Sequence, residues 1–319
     1  MSTVPYRSAA AENGILEAHD ILAGGPDLER PLTCRWPAER PPLGVVVFCH
    51  GLGSGPRHYG ALSRHWASNG YLVVHPGFDD AIEVVARAEP ELGLDPQADL
   101  SNWSTVEPVR ARMHEILHAP DRWMGRLAVV RATARALPEI LEATAGALRQ
   151  PVPRAIAGHS FGAYTAQLLA GAEIDLPGLS AQRFSEPGFA AAILLSAQGR
   201  AQQGLRDGSW AHIDGPLLNV TGTLDRGANG GDWRWKCEPY DLAPDGGKYL
   251  AVLEGADHFL GGFTETAARG AGSPAQSDAV RQLTLAFLDA HLPGRPAARD
   301  WLASVTDRIG DCPVLYKRK

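Results

Sequence analysis

Arg154-Ala155-Ile156-Ala157-Gly158-His159-Ser160-Phe161-Gly162-Ala163-Tyr164 is the stretch that decides the fold. A short apolar run ends in Gly-His-Ser-Phe-Gly, and a helical pattern follows at once through Ala166, Leu168 and Leu169. This is G-x-S-x-G in the strand, sharp turn and helix context that a nucleophile elbow needs. Such a turn forces the serine into strained backbone angles. Its neighbours must then be small, and Gly158 and Gly162 meet that need. The turn is expected to lift the Ser160 hydroxyl above a sheet edge, at a helix start where backbone N–H groups are unpaired.

Working outward, apolar runs of strand length alternate with helical patterns. Gly44 to His50 is continuously apolar, as expected of a strand covered on both faces. It empties into the turn Gly51-Leu52-Gly53-Ser54-Gly55-Pro56. A helix carrying Tyr59, Leu62 and Trp66 follows and ends at Gly70, and Tyr71 to Pro76 is the next strand. Beyond the elbow, Ala190 to Ser196, Pro216 to Gly222 and Lys248 to Glu254 read as strands, the last closing the core. A helix over 276–291 has Val280, Leu283, Phe287 and Leu288 on one side. Before Gly44, one or two early strands are expected around Glu29 to Trp36. The polar, Glu-, Asp- and Pro-rich segment 78–121 reads as an irregular, partly helical insertion at the carboxyl edge of the sheet. Asp121 is suited to cap a helix with Leu127, Val130, Ala134, Leu137 and Leu141 on one stripe, which Pro138 kinks or splits. The alternation predicts one α/β domain over 1–319, with a mostly parallel central sheet and helices on both faces.

Bulk properties narrow the function. The chain has 319 residues, 45% hydrophobic and 21% charged, an ordinary globular composition. Net charge is −6 with no long basic run, so a nucleic-acid partner is not expected. Lys317-Arg318-Lys319 reads as a solvated tail. No apolar run approaches ~20 residues, so no membrane span is expected. Met1 to Arg7 lacks the apolar centre of a signal peptide, and cytoplasm is the expected compartment. The four cysteines, Cys34, Cys49, Cys237 and Cys312, show no C-x-x-C. Cys49 reads as a core thiol, and pairing of Cys237 with Cys312 stays open. Asn102-Trp103-Ser104 fits a glycosylation sequon by accident.

A serine hydroxyl is a poor nucleophile without a base in hydrogen-bond reach. In this strand order an acid and then a histidine should follow the serine. Asp225 stands just past the strand 216–222 and His258 just past the strand 248–254, both opening on the elbow's edge. Asp232, Asp241 and Asp257 compete for the acid role. The oxyanion hole needs two backbone donors, expected from Phe161 N–H and Leu52 N–H. His159 is expected to turn away from the site and pack. Trp103, Trp123, Trp233 and Trp235 either line an acyl pocket or pack the insertion down. Gly227 to Trp235 reads as a mobile segment that gates access beside Asp225. A rival motif is His114-Glu115-Ile116-Leu117-His118, a literal H-E-x-x-H with Glu139 or Glu142 as third ligand of a zinc peptidase. Ala119-Pro120 cuts that segment short, and zinc would leave the elbow, Asp225 and His258 unexplained. A third reading is a catalytically silent binding protein.

Together, His50-Gly51-Leu52-Gly53, His65 to Tyr71, His75-Pro76, Gly158 to Thr165, Thr221 to Asp225 and Gly255 to His258 resemble the serine α/β-hydrolase superfamily. The similarity runs from about Gly44 to His291. It is closer to the dienelactone-hydrolase-like branch that includes platelet-activating-factor acetylhydrolases and similar carboxylesterases. The resemblance implies an α/β-hydrolase fold, a Ser160–Asp225–His258 triad, no metal or organic cofactor, and a small-molecule or lipid-like carboxylic ester as substrate. Amide or thioester hydrolysis by the same triad is the alternative. Dienelactone hydrolases proper carry Cys where Ser160 stands, and polyester hydrolases usually carry Met where Phe161 stands.

Overall fold

The computed structural model describes residues 5–8, 14–146, 151–228, 230–262 and 272–319. Its centre is a nine-stranded sheet in the order β1-β2-β4-β3-β5-β8-β9-β10-β11. The strands are β1 (Ile15–Ile21), β2 (Leu32–Pro37), β3 (Gly44–Cys49), β4 (Tyr71–His75), β5 (Arg154–His159), β8 (Ala191–Leu195), β9 (Leu217–Gly222), β10 (Lys248–Leu253) and β11 (Val314–Arg318). From β4 across to β10 every pairing is parallel, while β1, β2 and β11 join antiparallel at the two edges. A separate hairpin, β6 (Glu173–Leu176) and β7 (Leu179–Arg183), stands apart and has no counterpart in the sequence reading.

The central strands are covered on both faces, so their residues are apolar without interruption. Along β3, Val45, Val47 and Cys49 belong to one core cluster, and Val46 and Phe48 to the other, as the period-2 alternation of a strand requires. The first face is covered by α4 (Pro120–Arg135), α5 (Leu137–Ala145) and α6 (Phe161–Leu169). The second is covered by α1 (Gly60–Ser68), α7 (Pro274–His291) and α8 (Pro296–Leu302). The stripe expected over 121–141 splits at Ala136, and Pro138 falls in the first turn of α5, where its missing N–H costs no helical bond.

Register determines where the loops open. Cys49 pairs with Gly158, His159 with Leu195, Leu195 with Val220, and Gly222 with Leu253. The carboxyl ends of β3, β5, β8, β9 and β10 therefore finish nearly level, and the segments after them share one rim.

Three expectations need correction. Residues 78–121 are more regular than expected, with α2 (Ile82–Ala88) and α3 (Glu107–His118). They enclose a small core of their own, Ile82, Val85, Leu100, Val109, Met113 and Ile116 among it. These few apolar residues lie scattered in a polar segment, so periodicity hid them. The strand Lys248 to Glu254 is not the last, because Val314–Arg318 adds antiparallel to β10. The C-terminal basic residues are accordingly not a free tail: Lys319 Nζ donates to the carbonyls of Ala243 at 2.6 Å and Asp241 at 3.2 Å. Among the described residues no helix is long and apolar enough to cross a membrane. Met1 to Val4 lie outside them.

Candidate active site

Ser160 sits between β5 and α6 with no residue to spare, at φ 55° and ψ −119°. An L-residue reaches those angles only under strain. A Cβ at 158 would collide with the Gly162 carbonyl, and one at 162 with the Cys49 carbonyl. Both glycines are therefore required by the close approach of helix to strand. The Ser160 N–H is anchored on Leu195 O at 2.9 Å, which leaves the hydroxyl as the free end of the turn.

The level strand ends bring three distant side chains into line. His258 Nε2 lies 3.0 Å from Ser160 Oγ, and His258 Nδ1 lies 2.9 Å from Asp225 Oδ1. Asp225 is fully buried and His258 is 30% exposed at the side chain. A carboxylate only accepts, so Nδ1 carries the proton and Nε2 is left to accept from the serine hydroxyl. Thr221 Oγ1 donates to the other oxygen of Asp225 at 2.9 Å. Burial pushes the Asp225 carboxyl up. Its hydrogen bond from His258 and the nearby charge of Lys236 outweigh this, and it is held below the usual carboxylate range. Of the rival acids, Asp232 bonds its neighbour Arg234, and Asp257 caps the Phe259 N–H.

His159 does not merely pack. Its Nε2 donates to the His258 carbonyl at 2.8 Å, and its Nδ1 lies 3.0 Å from the Tyr59 hydroxyl. That hydroxyl accepts from Gly51 N–H at 2.9 Å. His159, the residue before Ser160, thus ties the loop that carries His258 to the loop after β3.

That second loop carries Leu52. Among the described residues neither the Leu52 nor the Phe161 N–H is bonded to a protein acceptor. Two such donors beside a strained serine suit an oxyanion. The loop is fixed by Gly53 N–H on Asp80 O at 3.0 Å and by Arg126 Nη1 on His50 O at 2.9 Å. Arg126 is itself 1% exposed. It holds Asp80 through two bonds of 2.6 and 2.7 Å, with the Phe78 and Phe161 rings on its guanidinium at 4.1 and 4.2 Å. The partners of this ion pair are 46 residues apart, and no local pattern in the sequence marks them.

A cavity of about 300 Å³ opens on Ser160, with Leu52, Trp103, Trp235 and His258 in its wall. Trp233 is not in that wall. It packs instead against Cys237, Tyr240, Leu250 and Val252, with Arg234 over its ring at 4.5 Å. Trp123 is a core residue whose indole N–H reaches Leu117 O at 2.9 Å. Gly227 and Ala228 line the cavity, while Asn229 of the expected gating segment lies outside the described residues. Two more residues join the site unexpectedly. Ser196, at φ 56°, places its Oγ 2.8 Å from His258 Nδ1. Its place at the end of a core strand was the available clue. Lys236 is the other, buried beside Asp225.

The H-E-x-x-H motif lies on α3, with Ile116 and Leu117 buried. His118 Nδ1 donates to His114 O at 2.8 Å, and the two rings stand 4.3 Å apart. Glu115 pairs with Arg112, and Glu139 accepts from Gly24 N–H. Among the described residues no third His, Cys, Asp or Glu completes a ligand set with them. All four cysteines are buried free thiols, and Cys237 and Cys312 lie in separate clusters. No family model matches the chain, and no curated protein matches it.

Proposed function

We propose that the chain is a serine hydrolase of the α/β-hydrolase fold, akin to the dienelactone-hydrolase-like carboxylesterases, that cleaves carboxylic esters through an acyl-enzyme. One observation carries this: Ser160 Oγ, the two ring nitrogens of His258 and Asp225 Oδ1 form one chain of 3.0 and 2.9 Å contacts beside a cavity.

In this mechanism Ser160 Oγ attacks the ester carbonyl carbon as His258 Nε2 takes its proton. Leu52 and Phe161 N–H hold the oxygen that becomes negative. Collapse expels the alcohol, which takes the proton back from Nε2 and leaves the acyl group on Ser160. Water, deprotonated by His258, then repeats the sequence and frees the acid. Asp225 keeps the imidazole in the needed tautomer and stabilises the imidazolium. The 300 Å³ of cavity is at the small end of ligand sites and suits short acyl chains.

The test is mass-spectrometric mapping of a fluorophosphonate adduct together with turnover of aryl esters of graded acyl length. The adduct is expected on Ser160, and Ser160→Ala is expected to lose at least ~10⁴-fold in kcat with an unchanged melting curve. An adduct elsewhere, or full activity in Ser160→Ala, would overturn the proposal.

A further inference from the structure

If Ser160, His258 and Asp225 act as proposed, one charged side chain at their centre has no part in the mechanism. Lys236 is 2% exposed. Its Nζ stands 3.6 Å from Asp225 Oδ1, the same oxygen that His258 Nδ1 meets at 2.9 Å. It also donates to the Ser196 carbonyl at 3.4 Å, and the Trp235 ring lies 5.4 Å away. Burying an ammonium is costly unless a counter-charge repays it. Lysine is accordingly a demanding choice at a place where Met or Gln would fill the space.

The carboxylate explains the choice. Asp225 is fully buried. If imidazolium were its sole counter-charge, the ion pair would favour a protonated His258, and a protonated imidazole cannot act as base. A fixed cation on the other flank keeps Asp225 paired while the imidazole is neutral. We propose that Lys236 is a positioning residue of this site, which neutralises Asp225 from behind and so lets His258 serve as base at lower pH than an isolated Asp–His pair would.

The other polar and titratable groups facing the pair do not supply that charge. From the β5–α6 turn come Ser160 and His159, whose ring is 4.9 Å from that of His258 and hydrogen-bonded at both nitrogens. From the ends of β8 and β9 come the hydroxyls of Ser196 and Thr221. Arg226 reaches the Asp225 backbone carbonyl at 2.9 Å but is exposed, and Asp257 bonds its own loop. Among the described residues Lys236 is the buried cation on the carboxylate.

The experiment is kcat/KM against pH for a short aryl ester, over the range in which each protein stays folded by its melting curve. Wild type, Lys236→Gln and Lys236→Arg are compared. Removing a positive charge favours the imidazolium, so the acid limb of Lys236→Gln should move up by about one pH unit, a roughly tenfold rate loss on the acid side. Its alkaline plateau should stay within about threefold of wild type. Lys236→Arg should keep the wild-type limb. Should Gln disturb folding, Lys236→Met fills the same space with an unbranched stem and carries the same expectation. A limb that stays put in the neutral variants, or an equal loss at every pH, overturns the role given to Lys236. Failure of the parent mechanism looks different: wild type itself would then show no fluorophosphonate adduct on Ser160.

Discussion

Two buried ion pairs flank Ser160, and they are built differently. On one side Arg126 grips Asp80 through two short bonds, clamped between two aromatic rings, and holds the loop that carries Leu52. On the other, Lys236 stands 3.6 Å from an Asp225 oxygen that it shares with His258. Arginine stays charged in any protein environment and binds carboxylates as a rigid fork. Lysine is a point charge that gives up its proton more easily when buried, and burial does pull Lys236 below the usual lysine range, opposed by Asp225. The bidentate clamp fixes the loop that carries Leu52, whereas the single Lys236 contact leaves the Asp225 oxygen shared with His258.

The sharpest way to break this contrast is to remove the acid from the Lys236 side. Asp225→Asn should lose on the order of 10⁴ in kcat, because the amide allows the wrong imidazole tautomer. Its fold should survive, since Lys236 can shed its proton once its partner is gone. Turnover and a melting curve check both halves, and a collapse of the melting transition would erase the distinction from the clamp.

Removing the guanidinium from the fixed side should do the reverse. Arg126→Met leaves Asp80 buried without its partner, a defect worth about 3–5 kcal/mol of stability. Chemical denaturation should show that loss, and the double change Arg126→Met with Asp80→Asn should recover part of it. If Arg126→Met lost activity alone at full stability, the clamp would be part of the chemistry instead.

Acid should also weaken the clamp side. His50, under the clamp, is pushed down to about 3 by burial first and by the charge of Arg126 second. Burial, helped by the charge of Arg35, pushes His75 far below the usual histidine range. Both are neutral when folded but take protons when unfolded below ~6.5, so their contribution is complete above that pH and is lost as pH falls. At pH 5.5 each should cost roughly 1.4 kcal/mol of stability relative to pH 7.5. Urea unfolding at the two pH values measures the sum, and equal midpoints would refute the assignment.

What could be read in advance followed locality. Gly158 to Gly162 announces the elbow because its two close approaches involve residues adjacent in sequence or in a neighbouring strand. Ser160, Asp225 and His258 each follow an apolar run, so their meeting at one rim follows from parallel register. Trp233 could not be placed from its type, because an indole beside the mouth and one turned onto β10 look the same in sequence. The strand at Val314–Arg318 escaped notice because only Val314 and Tyr316 of its residues turn inward at the sheet edge.

The sequence by itself determined the alternation of buried strands and helices and the spacing that puts a serine, an acid and a histidine after successive strands. Backbone sterics and periodicity act over a few residues, and such signals survive in one dimension. Only the tertiary structure decided what surrounds those three groups: Arg126 on Asp80, Lys236 on Asp225, Ser196 on the His258 ring, His159 on the His258 carbonyl. Charge pairing and burial depend on distance in space, and side chains far apart in the chain acquire that proximity only when the sheet has closed around them.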